Sequence, residues 1–468
     1  MKDFRHEALS HDPVHGYIPF VNTAARESEL TERQIIDHPW VQRLRQIHQL
    51  QTAWWVYPTA EHARFQHVLG TMHLASRAVD SLYESLAEVC PDVPSRGYVE
   101  CLMRMAALLH DVGHGPFGHF FDAHFLADYG LTHETLGAAI IREDLGDLLR
   151  GIRRSPSGLL EAGEALDPAQ IATLIARPQE NDTDALPRWL VMLRSLFCGI
   201  YTVDNMDFVL RDAMMSGYSA RAYDLDRLLH YSFFSEQGLT IHRRGLDALI
   251  RFMQVRSELF RVIYFHRTVR AIDLTLADLF ADSKSHLFTG NPLENRDAYR
   301  RLTEWSLLVD VATWHTSDNA ERRGLADRWQ RFLNRDLQWR SAVERNLVFP
   351  AGSAESTSIF SRAEMVERAV REQLGSDMVD LPMRVDLPRH IYRPHAQAAT
   401  AGQNFLSREA TGEIGPLTDD QLFRQLPLSG RICRIYVSPD TSDETKGRVA
   451  VALDALLNAA AVDDVTNM

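Results

Sequence analysis

Residues 105–122 read MAALLHDVGHGPFGHFFD. An apolar helical run through Leu102, Met105, Ala106, Leu108 and Leu109 ends in His110–Asp111, and a segment punctuated by glycine and proline then carries His114, His119 and Asp122. Three histidines and two aspartates thus fall within thirteen residues, where a buried helix opens into irregular chain. Metal ligands and catalytic groups need that combination of a rigid support and backbone able to bend toward a substrate. A His-Asp pair near glycine is also a common loop feature. The partners supplied by the rest of the chain decide between the two.

Nine of the twenty histidines lie between His48 and His133, a clustering that points to a site rather than to background composition. His67 falls near the start of a helical pattern, beside His62 and Arg64. Alone, such a histidine is more often a boundary residue of a core than a ligand. Downstream, LVMLRSLFCGIYTVDNMDFVLRDAMMSGY reads as one long buried helix interrupted by Asp204, Asp207 and Asp212. A carboxylate in such a stretch costs several kcal/mol unless it is paired or bound to metal. A bridge from Asp204 to Arg211 or Arg194 would satisfy it, but the histidine cluster upstream still lacks an anionic partner, so Asp204 is assigned as a ligand. His67, His110, Asp111 and Asp204 together make a borderline-hard set suited to a divalent metal (Mg, Mn, Fe, Zn or Ni). With open positions left on the metal, His114, His119 and His133 nearby and Arg64 and Arg256 as forked donors, the chemistry is hydrolysis of a phosphate ester or anhydride.

The elements that must position these groups are helical. Residues 31–50 carry a helical pattern in which Pro39 starts a second helix. Phe65, Val68, Leu69, Met72, Ala75, Val79, Leu82 and Leu86 follow the 3.6 period of a long helix. LTHETLGAAIIREDLGDLL places His133–Glu134 in a first helical turn, and residues 245–282 read as another long helix. The HDPVHGYIPF segment, with its proline and glycine, reads as a short hairpin or an extended arm. Beyond about residue 340 short β-like runs, RVDLPRHIY and RICRIYVS, alternate with helical patterns. The expected fold is mainly α, a helical domain over 1–340 with a smaller C-terminal α+β region over 341–468.

Composition narrows the function. A net charge of −13 argues against broad nucleic-acid binding but allows a small polyanion in a locally basic pocket. No run of eighteen uncharged apolar residues exists, and the N-terminus has no apolar signal core. The four cysteines lack CxxC spacing, as expected of reduced thiols. The expectation is a cytoplasmic protein with no membrane partner.

The order His67, His110–Asp111, Asp204 resembles the HD-domain phosphohydrolases. The flanking runs RLRQIHQL, YPTAEHARFQHVLG, LLHDVGHGPFGH, THE and DNMDFVLRDAMMSG are similar to the deoxynucleoside triphosphate triphosphohydrolases, in the branch of the vertebrate SAM- and HD-domain enzyme and its bacterial relatives. The resemblance covers about residues 8–280, with no counterpart of the SAM domain. It implies an HD-type helical core that hydrolyses a dNTP at the α-phosphorus to a deoxynucleoside and inorganic triphosphate. It implies metal ligation by His67, His110, Asp111 and Asp204. His119 would be the acid for the departing 5′ oxygen, with Asp122 orienting it, and His114 and His133 would be further active-site histidines. Arg64 and Arg256 would bind phosphates. Gln49 and Asp212 would bind the 3′-hydroxyl, while Leu50 and Tyr264 would crowd out a 2′-hydroxyl. Asp37, Gln42 and Arg45 match positions that recognise a guanine nucleotide activator between subunits of a homo-oligomer, a dimer or tetramer.

Asn205 and Phe208 depart from the pattern, replacing a lysine and a tyrosine that hold phosphates in the vertebrate enzyme. Each lost donor is worth about 1–3 kcal/mol if unreplaced. Two other readings stay open at this point: an HD phosphohydrolase acting on nucleoside monophosphates, cyclic nucleotides or alarmones, and a nucleotide-sensing regulator without turnover.

Overall fold

Pro13 and Gly16 do turn the chain back on itself. Strand β1 (Glu7–Asp12) pairs antiparallel with β2 (Gly16–Val21), Asp12 opposite Gly16. This computed structural model describes residues 4–26, 28–176, 186–349, 358–391, 404–408, 412–427 and 429–466, with side chains to 458. It is mainly α, with a C-terminal region that contains a sheet.

The described chain divides into two compact units, each discontinuous in sequence. The first comprises Met1–Arg256, Lys284–Asp310 and Pro394–Arg424. After the hairpin come α1 (Glu32–Ile36) and α2 (Pro39–Gln42), with Pro39 at the first helical position. Helix α3 (Arg64–Val89) packs along α4 (Arg96–Leu109). Each starts on a cap: Gln66 Oε1 accepts from the Ala63 amide at 2.8 Å, and Ser95 Oγ from the Tyr98 amide at 3.2 Å. Apolar side chains along both, from Val68 and Met72 to Leu102 and Met105, are fully buried. A buried Arg104–Glu32 pair, bonded at 2.5 and 2.8 Å, ties α4 to α1. The short helices α5 (His119–His124), α6 (His133–Ala139), α7 (Gly146–Arg150) and α8 (Pro168–Ile175) follow, with a small ladder of β3 (Arg154–Ser155) and β4 (Gly158–Leu159) between the last two.

The long helix expected after Trp189 is two helices, α9 (Arg188–Arg194) and α10 (Val203–Met215). The chain folds tightly between them, since a Cβ on Gly199 would lie 2.4 Å from the Ser195 carbonyl oxygen. Thr202 then caps α10, its hydroxyl accepting from the Asn205 amide at 3.0 Å. Helix α11 (Leu225–His230) leads into the hairpin β5 (Ser232–Ser235) and β6 (Gly238–His242). The span expected as one helix over 245–282 is also interrupted. Helix α12 (Leu246–Leu259) passes through a π turn, Phe260–Tyr264, before α13 (Arg267–Leu287) begins on the His266 ring, whose Nδ1 accepts from the Thr268 amide.

Helices α14 (Arg296–Arg301), α15 (Glu304–Ala312) and α16 (Ala320–Leu333) follow. The second unit comprises Ser257–Ser283, Val311–Arg393 and Gln425–Met468. Its sheet contains β7 (Arg340–Phe349), to which α17 (Ala363–Leu374), β8 (Met383–Asp386) and β9 (Arg389–Ile391) succeed in the chain. In the first unit β10 (Asn404–Ser407) adds parallel to β6 and antiparallel to β11 (Ile414–Pro416), followed by α18 (Gln421–Arg424). Strand β12 (Ser429–Val437) completes the second unit's sheet in the order β7-β12-β8, before α19 (Asp443–Thr466). Val366, Val370 and Leu374 of α17 and Val449 and Leu453 of α19 bury against Val343, Val385 and Ile435 of that sheet. Among the described residues no helix is long and apolar enough to cross a membrane.

Candidate functional site

Three helix ends meet at the His-Asp pair. His67 lies in the first turn of α3, His110 caps the C-terminus of α4 with Asp111 next in chain, and Asp204 lies in the first turn of α10. The ligand atoms of His67, His110 and Asp111 all lie within 4.8 Å of one another. Asp204 Oδ1 stands 3.1 Å from His67 Nε2 and 3.7 Å from His110 Nε2. The two Nε2 atoms are 3.3 Å apart, and Asp111 Oδ1 is 3.3 Å from His110 Nε2. Arg211, the alternative partner for Asp204, instead forks onto Asp207 and reaches Asp12.

The imidazoles are held with Nε2 facing inward. His67 Nδ1 donates to Asp207 Oδ2 at 2.7 Å, because a carboxylate can only accept. His110 Nδ1 donates to the Ala107 carbonyl at 2.8 Å, satisfying an oxygen that the helix end would otherwise leave open. Each ring therefore presents its lone pair to the cluster, the orientation a metal ligand needs. Burial disfavours the His67 cation, yet the carboxylates of Asp204 and Asp207 outweigh it and push the ring up to about 10. His110 is raised too, burial being outweighed chiefly by Asp111. The pocket thus seeks positive charge. A divalent ion bonded at about 2.1 Å needs neighbouring ligand atoms roughly 3.0–3.4 Å apart; three of the four separations fall in that range and the fourth, Asp204 to His110, is 3.7 Å, so the residues fit a divalent metal.

A second cluster lies against the first. His114 Nε2 is 3.4 Å from Asp111 Oδ1, and the His114 and His133 rings stack with centroids 3.7 Å apart. Asp122 Oδ2 takes a 2.5 Å hydrogen bond from His133 Nδ1 and lies 3.4 Å from His119 Nδ1. Asp122 therefore holds His133 more closely than His119, whose side chain is 72% exposed. Both His114 ring nitrogens and Asp122 Oδ1 are buried without a hydrogen bond among the described residues. His133 reaches the segment because Gly113 has no side chain: a Cβ there would lie 2.0 Å from the His133 carbonyl oxygen. Phe117, fully buried, holds a left-handed φ of 61°, a strained conformation that persists only where packing over-determines it. Burial and the nearby His114 lower His133 to about 4. His114 is lowered by burial and by Arg64. Asp122 stays well below the carboxylate range, the cost of its burial outweighed by the three rings around it.

Arg64 is buried, its Nη1 bonded to Asp111 Oδ2 at 2.7 Å and its Nε without a hydrogen bond among the described residues. Arg256 donates to the Ile200 carbonyl, in the chain leading to α10. Gln49 has a buried carbonyl oxygen with no hydrogen bond among the described residues, and Leu50 beside it is buried. Asp212, one of the acids that interrupt the apolar pattern, is buried and bonded to His62 Nε2 at 2.8 Å. Tyr264 belongs to the second unit, where its ring meets Phe260 edge-on. Asp37 pairs with Arg33, while Gln42 accepts from Arg45, whose guanidinium covers the Phe65 ring at 3.6 Å. Sequence reasoning noted His62 only as a neighbour of His67 and missed its bond to Asp212, and it missed the roles of Asp12, His15, Asp207 and Arg211. The apolar stretch interrupted at Asp207 was the one signal that could have found them.

The family model of the HD domain matches residues 64–175. The chain is 28% identical over 402 residues to the uncharacterized protein YwfO of Bacillus subtilis, covering 83% of this chain and 82% of that one. It is 30% identical to deoxynucleoside triphosphate triphosphohydrolase SAMHD1 of Gallus gallus over 68% of this chain and 54% of the relative, and 28% identical to that of Homo sapiens over 63% and 49%. The chain thus spans about half the length of these vertebrate relatives. A crystal structure of a hypothetical protein from Aquifex aeolicus, 20% identical, shares the fold with a TM-score of 0.68 over 95% of this chain and all of that one. The matched HD domain and the likeness to SAMHD1 dNTP triphosphohydrolases and a bacterial relative support an HD-domain, dNTPase-like family for this chain.

Proposed function

We propose that this chain hydrolyses deoxynucleoside triphosphates, releasing a deoxynucleoside and inorganic triphosphate. The observation that carries the proposal is that a cation-seeking His/Asp set adjoins the stacked His114–His133 pair through Asp111. A metal held by His67, His110, Asp111 and Asp204 would supply Lewis acidity at the phosphoryl group. Arg64, fixed by Asp111 through one nitrogen, keeps others for phosphate oxygens, and Arg256 adds a second fork. Asp122 orients His119, which gives its proton to the departing 5′ oxygen. His114 and His133 position phosphate and the attacking water.

Gln49 and Asp212 hold the 3′-hydroxyl, the latter already aligned by His62, and Leu50 crowds out a 2′-hydroxyl. The same proposal places catalysis in residues 1–340, leaves assembly or regulation to 341–468, and makes Asp37, Gln42 and Arg45 part of a guanine-nucleotide site in a cytoplasmic homo-oligomer. All dNTPs and NTPs are to be incubated with Mg²⁺ or Mn²⁺, with and without added dGTP, and the products separated by phosphate-specific chromatography. Inorganic triphosphate from dNTPs alone is expected, faster with dGTP. Orthophosphate, a nucleoside diphosphate, or cleavage only of monophosphates or cyclic nucleotides would sink the proposal in favour of another HD phosphohydrolase activity.

A further inference from the structure

The N-terminal hairpin, which no catalytic role claims, reaches the metal cluster through hydrogen bonds. Its turn is set by Asp12, whose Oδ1 accepts from the backbone amides of Val14 and His15, both at 2.9 Å. That turn aims His15 Nε2 at Asp207 Oδ1, 2.7 Å away. The other oxygen of Asp207 accepts from His67 Nδ1 at 2.7 Å. Arg211 forks onto the same carboxylate at 2.8 and 2.9 Å, and its remaining terminal nitrogen returns to Asp12 Oδ2 at 2.8 Å. His15, His67, Asp207 and Arg211 side chains are each no more than 2% exposed.

Two features show that this chain of contacts is built to hold His67 rather than merely to fill space. Gly70 lies one turn beyond His67 on α3, and a Cβ there would stand 2.0 Å from Asp207 Oδ1 and 2.3 Å from Arg211 Nη2. The helix is bare where the fork seats against it. The carboxylate also receives four donors, two from Arg211 and one each from His15 and His67. A carboxylate so held keeps its charge and its direction, and it fixes both the tautomer and the angle of the ring it binds.

We propose that His15, set by Asp12, is a positioning residue for the metal: through Asp207 it holds His67 with Nε2 directed into the metal cluster. The inference rests on the metal-site part of the proposed function but not on the identity of the substrate. His15→Ala removes the donor, whereas His15→Gln offers an amide N–H in its place. Mn²⁺ and Co²⁺ affinities of the full chain are measured by equilibrium dialysis with elemental analysis, and the Co²⁺ absorption spectrum records the ligand field. His15→Ala is expected to bind about 10–100-fold more weakly with an altered spectrum, and His15→Gln to recover most of the wild-type affinity. Equal metal affinity in wild type and His15→Ala overturns the inference. So does an equal loss in both variants, which would make the effect one of packing. A wild-type protein that binds metal but releases triphosphate from no dNTP sinks the proposed substrate alone. One that binds no metal sinks both.

Discussion

Two clusters drawn largely from one eighteen-residue stretch lie side by side and behave oppositely. In the first, two imidazoles face carboxylates, and both rings are driven toward the cation. In the second, rings stack on rings beside the Arg64 guanidinium, and His114 and His133 are driven toward the neutral form. Residue type does not separate them, since both are made of histidine and aspartate. Surroundings separate them: carboxylates outweigh burial at the first pair of rings, whereas burial together with the neighbouring Arg64 and imidazole groups prevails at the second. The same side chains can therefore serve as a metal cradle and as a proton-handling surface a few ångströms apart, with Asp111 touching both.

The comparison breaks most visibly if a ligand is removed. His110→Ala or Asp204→Ala should leave the purified protein without bound metal and lower hydrolysis by about 10³-fold or more, the scale lost when a group that acts as part of a unit is deleted. Elemental analysis and product chromatography check both. Retained metal in Asp204→Ala would remove α10 from the first cluster. Next in size, Asp122→Asn or His119→Ala should lower turnover by about 10²–10⁴-fold, as loss of general-acid chemistry does, while metal content stays at the wild-type level. If metal is lost as well, the two clusters are one.

The smallest effect is a pH dependence of the metal-free protein. His67 is raised in the fold to about 10 from an unfolded value of about 6.5, so its stabilisation is fully present below pH 6.5 and is lost as pH rises toward 10. His133 is lowered to about 4. Between 6.5 and 4 the unfolded chain takes up a proton that the folded site refuses, so stability falls with pH through that window. A metal displaces the His67 proton, so the rise in Tm on adding Mn²⁺ should grow from pH 6.5 upward. Thermal melts across that range measure it, and a metal-induced shift independent of pH would show that His67 faces no cation site.

The chain's order of chemistry was legible before folding. His67, His110, Asp111 and Asp204 stand out because charged and imidazole groups interrupt apolar helical periods, and burying them is costly without a partner. The Thr202 cap and the proline at 39 likewise act over a few residues, so local sequence determines them. Tertiary structure alone decided the pairings. The turn at Gly199 that splits one expected helix into α9 and α10 answers to close packing rather than to periodicity, and it is what brings Asp204 to a helix start. Nothing in the spacing of Asp12, His15 and Asp207 shows that residues 192 positions apart share a 2.7 Å hydrogen bond. Sequence determined which groups could not be left alone in a low-dielectric interior. Only the fold, by bringing distant helices and a hairpin together, decided which group each of them found.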